Sequence, residues 1–180
     1  MRDEASHQRE SNVSTDDRSF DLPPARRRSL RRWSAELSTR TESRVGLLDV
    51  NALVALAWDA HVHHEAAAAW FDQRSGPWAT CPVSEAGFIR VSSNPAVLTG
   101  AISVEKARGV LRDLRAIGEH RFLTNDVSPT DADFPAIASH RQVTDALLLT
   151  VARLAKLVLV TFDAGLGALA GGDGVELLRR

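Results

Sequence analysis

Short strand-like runs, most of them separated by segments of helical character, constrain this chain more than any other feature. The runs are Val45–Leu48, Trp78–Cys81, Arg121–Thr124, Leu157–Thr161 and Val175–Leu178. Between them, Asn51–Trp58 is apolar nearly all round and predicts a helix. His61–Gln73, with its alanines at 66–69, predicts a second. Pro82 suits the start of a helix over Val83–Val91, and Ser92-Ser93-Asn94-Pro95 closes it. Ser103 caps a helix to about Ile117, ended by Gly118, and Thr144 caps another over Asp145–Lys156. Residues 125–143 read as loop with one helical turn near Phe134–Ala138, and Asp173-Gly174 turns into the last strand. Parallel pairing follows, because parallel strands need a crossover and a helix is the usual one. Continuous apolar strands fit a sheet covered on both faces. The expected fold is an α/β/α sandwich around a mainly parallel sheet of about five strands. Its ligand site would lie beyond the carboxyl ends of the strands.

Composition sets the limits of this unit. The 180 residues are 44% apolar overall, but the first 44 hold only 10 apolar residues, and the remainder is about 51% apolar. Residues 45–180 can bury a core; residues 1–44 lack the apolar surface to offset their ordering entropy. The segment is cut by Pro23-Pro24 and carries a basic cluster at Arg26-Arg27-Arg28 and Arg31-Arg32. It reads as a solvated, unstructured extension, with a nucleic-acid-binding arm as the rival. A third reading starts the native protein near Val45, since valine codons can initiate bacterial translation. One cysteine, Cys81, excludes an internal disulfide framework and a thiolate zinc site. No apolar run reaches membrane-spanning length, and the start lacks the apolar core of a secretory signal. Eight acids in the first 44 residues argue against a transit peptide. An intracellular, cytoplasmic protein is expected. Residues 45–180 carry 12 Lys/Arg and 15 Asp/Glu, net −3, which by itself argues against a highly basic nucleic-acid binder.

Four carboxylates adjoin the most apolar segments. Asp49 ends the first strand, Glu85 lies on the first turn after the second, Asp145 opens a helix, and Asp163 follows the fourth strand by two residues. Each has a plain structural reading: strand end, solvated acid, first-turn helix acid, turn residue. Together they are costly beside apolar segments unless something neutralises them. Converging carboxylates repel and raise one another's pKa, and hard divalent cations are their natural occupants.

At this point the residues resemble a family. Leu47-Leu48-Asp49-Val50-Asn51-Ala52-Leu53, Val83-Ser84-Glu85-Ala86-Gly87-Phe88-Ile89-Arg90, Val143-Thr144-Asp145-Ala146, and Thr161-Phe162-Asp163 with Gly165 resemble the four acidic motifs of PIN-domain ribonucleases. Trp78-Ala79-Thr80-Cys81-Pro82, Ser92-Ser93-Asn94-Pro95 and His140-Arg141-Gln142-Val143-Thr144-Asp145 are similar to the VapC-type toxins of bacterial toxin–antitoxin pairs. The resemblance spans about Val45 to Leu178 and gives the tail no counterpart. It implies a PIN-like α/β/α sandwich and a Mg²⁺-dependent endoribonuclease, Mn²⁺ substituting, that cuts transfer or ribosomal RNA and arrests translation. Asp49, Glu85, Asp145 and Asp163 would be its catalytic, metal-binding acids. A divalent ion screens the phosphodiester charge, lowers the pKa of bound water and stabilises the leaving oxygen. The implied products carry 5′-phosphate and 3′-hydroxyl ends. Two such ions would bring the formal charge of the unit from −3 to +1, removing the objection to RNA. A VapB-like antitoxin and a homodimer are the implied protein partners. Asn51, Thr144 and Thr161 are supporting candidates that orient acids. Arg141, His140 and, more weakly, Arg90 are candidate phosphate contacts. The rival from another class is a non-catalytic PIN-like module that binds RNA or protein.

Other patterns carry less. His61, His63 and His64 lack zinc-motif spacing and read as exposed histidines at a helix start. Trp58, Trp70 and Phe71 at helical spacing read as core or interface rather than base-stacking groups. Gly165–Ala170 matches a dinucleotide fingerprint formally, but too little chain follows for the strand and acid it requires. Asp49-Val50-Asn51 has one acid where a phosphatase Asp-x-Asp motif needs two.

Overall fold

The computed structural model describes residues 45–179, except 75, 125, 132 and 133. The tail readings therefore lie outside the described residues. Five strands, β1 Gly46–Leu48, β2 Trp78–Thr80, β3 His120–Phe122, β4 Val158–Thr161 and β5 Val175–Leu177, form one sheet in the order β3-β2-β1-β4-β5. Every adjacent pair is parallel, as the alternation predicts. Among the described residues, six α-helices accompany them: α1 Val50–Ala57, α2 His64–Gln73, α3 Pro82–Ser92, α4 Val104–Arg115, α5 Val143–Leu154 and α6 Ala164–Leu169.

Strand alternation sorts the core into two layers. Leu48, Trp78 and Val160 point to one face and pack with α1, Phe88 of α3, and Val110, Leu111 and Leu114 of α4. Leu47, Ala79 and Leu159 point to the other and pack with Leu148, Leu149 and Ala152 of α5 and Leu166 of α6. This is the expected sandwich. Ala52 through Ala57 are all buried, which explains why α1 is apolar nearly all round. One close approach fixes α1 against α3. A Cβ at Gly87 would stand 2.3 Å from Val50 Cγ2, so only glycine permits this helix spacing.

Four local expectations differ, the first being α6, a helix over Ala164–Leu169 where the sequence reading offered only a formal glycine-rich match. The second helix starts at His64 because residues 61–63 turn first, the His61 and His64 amides bonding the Trp58 and His61 carbonyls. The helical turn expected near Phe134–Ala138 is absent among the described residues. A short 3₁₀ turn occupies His140–Gln142 instead, its Ser139 Oγ accepting from the Arg141 amide at 3.2 Å. That turn runs straight into α5, which begins at Val143. Thr144 is therefore inside the first turn and is not the N-cap.

Candidate active site

The sheet order reverses direction between β1 and β4, and a parallel sheet opens a crevice where it does so. Register places Leu48 opposite Val160, so the next residues, Asp49 and Thr161, meet at the carboxyl edge. The Asp49 amide donates to the Val160 carbonyl at 3.1 Å. Asp49 is also the N-cap of α1: Oδ1 accepts from the Ala52 amide and Oδ2 from Thr161 Oγ1, both at 2.5 Å. Thr161 Oγ1 in turn accepts from the Asp163 amide at 2.9 Å. Asp163 caps α6, its Oδ1 accepting from the Gly165 amide at 2.7 Å. One buried hydroxyl thus couples the acids after β1 and β4.

Electrostatics bring in a third acid. Asp49 is only 5% exposed, and burial pushes its carboxyl up to about 6. The bonds from Thr161 and Ala52 oppose that shift, while the charges of Asp145 and Asp163 add to it. Asp145, half-buried on the first turn of α5, is also raised, first by burial and then by Asp163. Among the described residues, no Lys or Arg forms an ion pair with any of the three. Oxygen donors that repel one another without a protein counter-charge suit a hard divalent cation. As the side chains lie, however, no group of three His, Cys, Asp or Glu among the described residues is closed into a ligand set.

Glu85 stands apart. Thr80 Oγ1 donates to its Oε1 at 2.6 Å, and Arg115 pairs with it at 3.4 Å. Thr80 does for Glu85 what Thr161 does for Asp49, a strand-terminal hydroxyl holding the acid. His120 Nε2 lies 2.8 Å from the same hydroxyl. Because Thr80 gives its proton to Glu85, the His120 ring must donate. Thr80, Arg115 and His120 were not among the sequence candidates. A threonine ending β2, matching Thr161 at the end of β4, was the available signal for the first.

The remaining candidates divide. Thr161 orients Asp49. Asn51 is exposed and is not among the hydrogen-bond partners of Asp49, and Thr144 is exposed beside Asp145. His140 and Arg141 sit exposed on the 3₁₀ turn ahead of Asp145, and Arg90 is exposed in the last turn of α3. The histidines before α2 are half-buried, not exposed: His63 stacks on Phe162 at 4.4 Å, and His64 Nδ1 lies 2.9 Å from the Ala55 carbonyl. Trp70 and Phe71 pack against the core, with Trp70 Nε1 donating to Glu176 at 2.7 Å.

A doubly covered parallel sheet with acids at its carboxyl edge, beside the reversal of strand order, defines the class, and comparison with known proteins agrees. The family model for the PIN domain matches residues 46–172. Ribonuclease VapC38 of Mycobacterium tuberculosis (strain ATCC 25618 / H37Rv) is 59% identical over 127 residues, covering 70% of this chain and 90% of the relative. Ribonuclease VapC39 of Mycobacterium tuberculosis is 42% identical over 136 residues, covering 73% and 98%. The crystal structure of Mycobacterium tuberculosis VapC20, described as a sarcin–ricin loop cleaving toxin, shares the fold. Its TM-score is 0.51 at 13% identity, over 68% of this chain and 93% of that one. This chain belongs to the PIN-domain family, among the VapC-type ribonuclease toxins. A non-catalytic binding module is not favoured by these likenesses. Among the described residues, no helix is long and apolar enough to cross a membrane.

Proposed function

We propose that this chain hydrolyses phosphodiester bonds of transfer or ribosomal RNA with Mg²⁺, or Mn²⁺ in its place, and so arrests translation in the cytoplasm. The observation that carries this reading is Asp49: a buried carboxylate, charged against its surroundings, with two further acids raising its pKa. Asp49, Asp145 and Asp163 would hold the ion, with Glu85 completing the acid set. The ion would supply charge screening at the phosphate and acidify water. The chain's own part is positional. Thr161 holds Asp49 in one rotamer and ties it to the backbone of Asp163, and Thr80 holds Glu85 at the end of β2. Both threonines are fully buried, so these carboxylates are fixed by rigid strand ends rather than by loops. A VapB-like antitoxin that covers the acids would silence the enzyme, and the chain would act as a homodimer.

The test is cleavage of a panel of transfer and ribosomal RNAs with and without Mg²⁺. Wild type should cut only with the metal, leaving 5′-phosphate and 3′-hydroxyl ends. Asp49→Asn should lose at least about a hundredfold, as expected when a charge-stabilising group is removed. Equal cleavage by Asp49→Asn, or 2′,3′-cyclic phosphate ends, would overturn the proposal.

A further inference from the structure

Helix α4 concentrates positive charge, and of it Arg115 alone among the described residues pairs with an acid of the site. It carries four of the twelve Lys and Arg of residues 45–180. Arg108, Arg112 and Arg115 follow at spacings of four and three, which places them on one helical face. All three line a cleft of about 620 Å³ between α3 and α4, with Glu85 and His120 in its wall. The buried stripe of the same helix, Ala107, Val110, Leu111 and Leu114, anchors it to the core, so the cleft wall is rigid.

The charges are available to a ligand. Among the described residues Arg108 pairs only with Glu105 of its own helix, at 3.0 Å, an exposed pair of the kind that contributes little. Arg112 is exposed and has no ion pair among the described residues. Arg115 is shared between Glu85, at 3.4 Å, and the ring of Phe122, at 5.1 Å from its centroid. That ring is 46% exposed, at the carboxyl end of edge strand β3. His120 adds no charge, because burial and then Arg115 lower its pKa to about 4. Guanidinium groups keep their charge at any working pH and fork naturally onto phosphate oxygens. Cationic side chains beside an exposed aromatic are what unstructured nucleic acid needs: charge for the backbone and a flat face for a base.

We propose that this cleft is a track for single-stranded RNA, in which Arg108, Arg112 and Arg115 seat phosphates and Phe122 stacks a base on the way to Glu85. This rests on the ribonuclease reading above and adds four residues, none of them an acid of the site, that would position its RNA. Arg115 links the track to the acid site, since the guanidinium that would meet RNA is the one now paired with Glu85. The site would take an unpaired loop or strand, because only an unstacked base can reach an aromatic ring.

The experiment measures binding of a short fluorescein-labelled single-stranded RNA to the full chain in EDTA, by anisotropy across a salt series. Arg108→Gln/Arg112→Gln changes only exposed side chains, and its melting temperature checks that the fold is kept. It should bind more weakly, and its slope of log affinity against log salt should fall by about 1.4, roughly 0.7 per lost phosphate contact. Phe122→Ala should weaken binding by roughly 5- to 150-fold, the usual worth of one stacked base, with the slope unchanged. Unaltered affinity and slope in the double variant would overturn the track, as would a double variant that keeps RNA but loses an acidic protein partner. The two readings fail separately. Arginine-dependent binding without Mg²⁺-dependent cleavage by wild type sinks the nuclease reading alone. Intact cleavage with unaltered binding in the variants sinks the track alone.

Discussion

Replacing Asp49 by Asn should make the metal-free protein more stable, and by an amount that grows with pH. Asp49 has an ordinary carboxyl value of 3.8 and is pushed up to about 6 in the fold, because it is buried beside Asp145 and Asp163. A raised acid is protonated more readily in the folded state than in the unfolded one. Between the two values the folded state therefore binds more protons, and stability falls as pH rises. Raising the carboxyl from 3.8 to about 6 corresponds to about 3 kcal/mol lost by pH 8, at about 1.36 kcal/mol per tenfold change in proton affinity. Asparagine keeps the shape and the bond from Ala52, and its amide can donate to Thr161 Oγ1, reversing that bond as the protonated carboxyl would. The advantage of Asp49→Asn should be about 3 kcal/mol at pH 8 and roughly half of that at pH 5 by the same linkage. Urea unfolding of both proteins in EDTA at the two pH values measures it directly. Adding Mg²⁺ should then stabilise wild type and narrow the gap, because a bound cation favours the ionised folded state. A difference that is flat with pH, or a variant less stable than wild type at pH 8, would refute the assignment of Asp49 as an uncompensated buried carboxylate.

Other expected outcomes follow from single contacts. Thr161→Val conserves volume but leaves Asp49 Oδ2 and the Asp163 amide without their buried partner. It should destabilise by about 1.5–3 kcal/mol, the scale of a hydrogen bond to a charged group, and weaken Mn²⁺ binding by calorimetry. Gly87→Ala drives a Cβ into Val50 and should cost about 1–3 kcal/mol in urea unfolding, with much of the loss recovered in Val50→Ala/Gly87→Ala. Asp145→Asn should lower the pKa of Asp49, since it removes one of the charges that raise it, and the advantage of Asp49→Asn at pH 8 should shrink in that background.

Periodicity and edge logic made most of the fold legible. Alternating apolar strands and helices implied parallel pairing, and the two faces of each buried strand then had to be covered. The elements that resisted reading were those set by long-range packing. His61–Val62–His63 has the composition to extend α2, yet His63 stacks on Phe162 and the chain turns there instead. Thr144 has the chemistry of a cap, but the 3₁₀ turn ahead of α5 brings helical geometry in earlier.

The site divides in the same way. That Asp49, Glu85, Asp145 and Asp163 sit at strand ends and helix starts was readable from the chain, because a parallel sheet puts all such positions on one edge. What each carboxylate touches was decided by register and by helix spacing. Register brings Thr161 beside Asp49 across 112 residues, and no local pattern encodes that bond. The packing of α4 on α3 turns Arg115 onto Glu85, 30 residues away, and gathers three arginines into one cleft. Residue type and local period fixed which groups are present and at which edge. Hydrogen bonds, desolvation and charge coupling act over ångströms in space, so only the tertiary structure determined which of those groups meet.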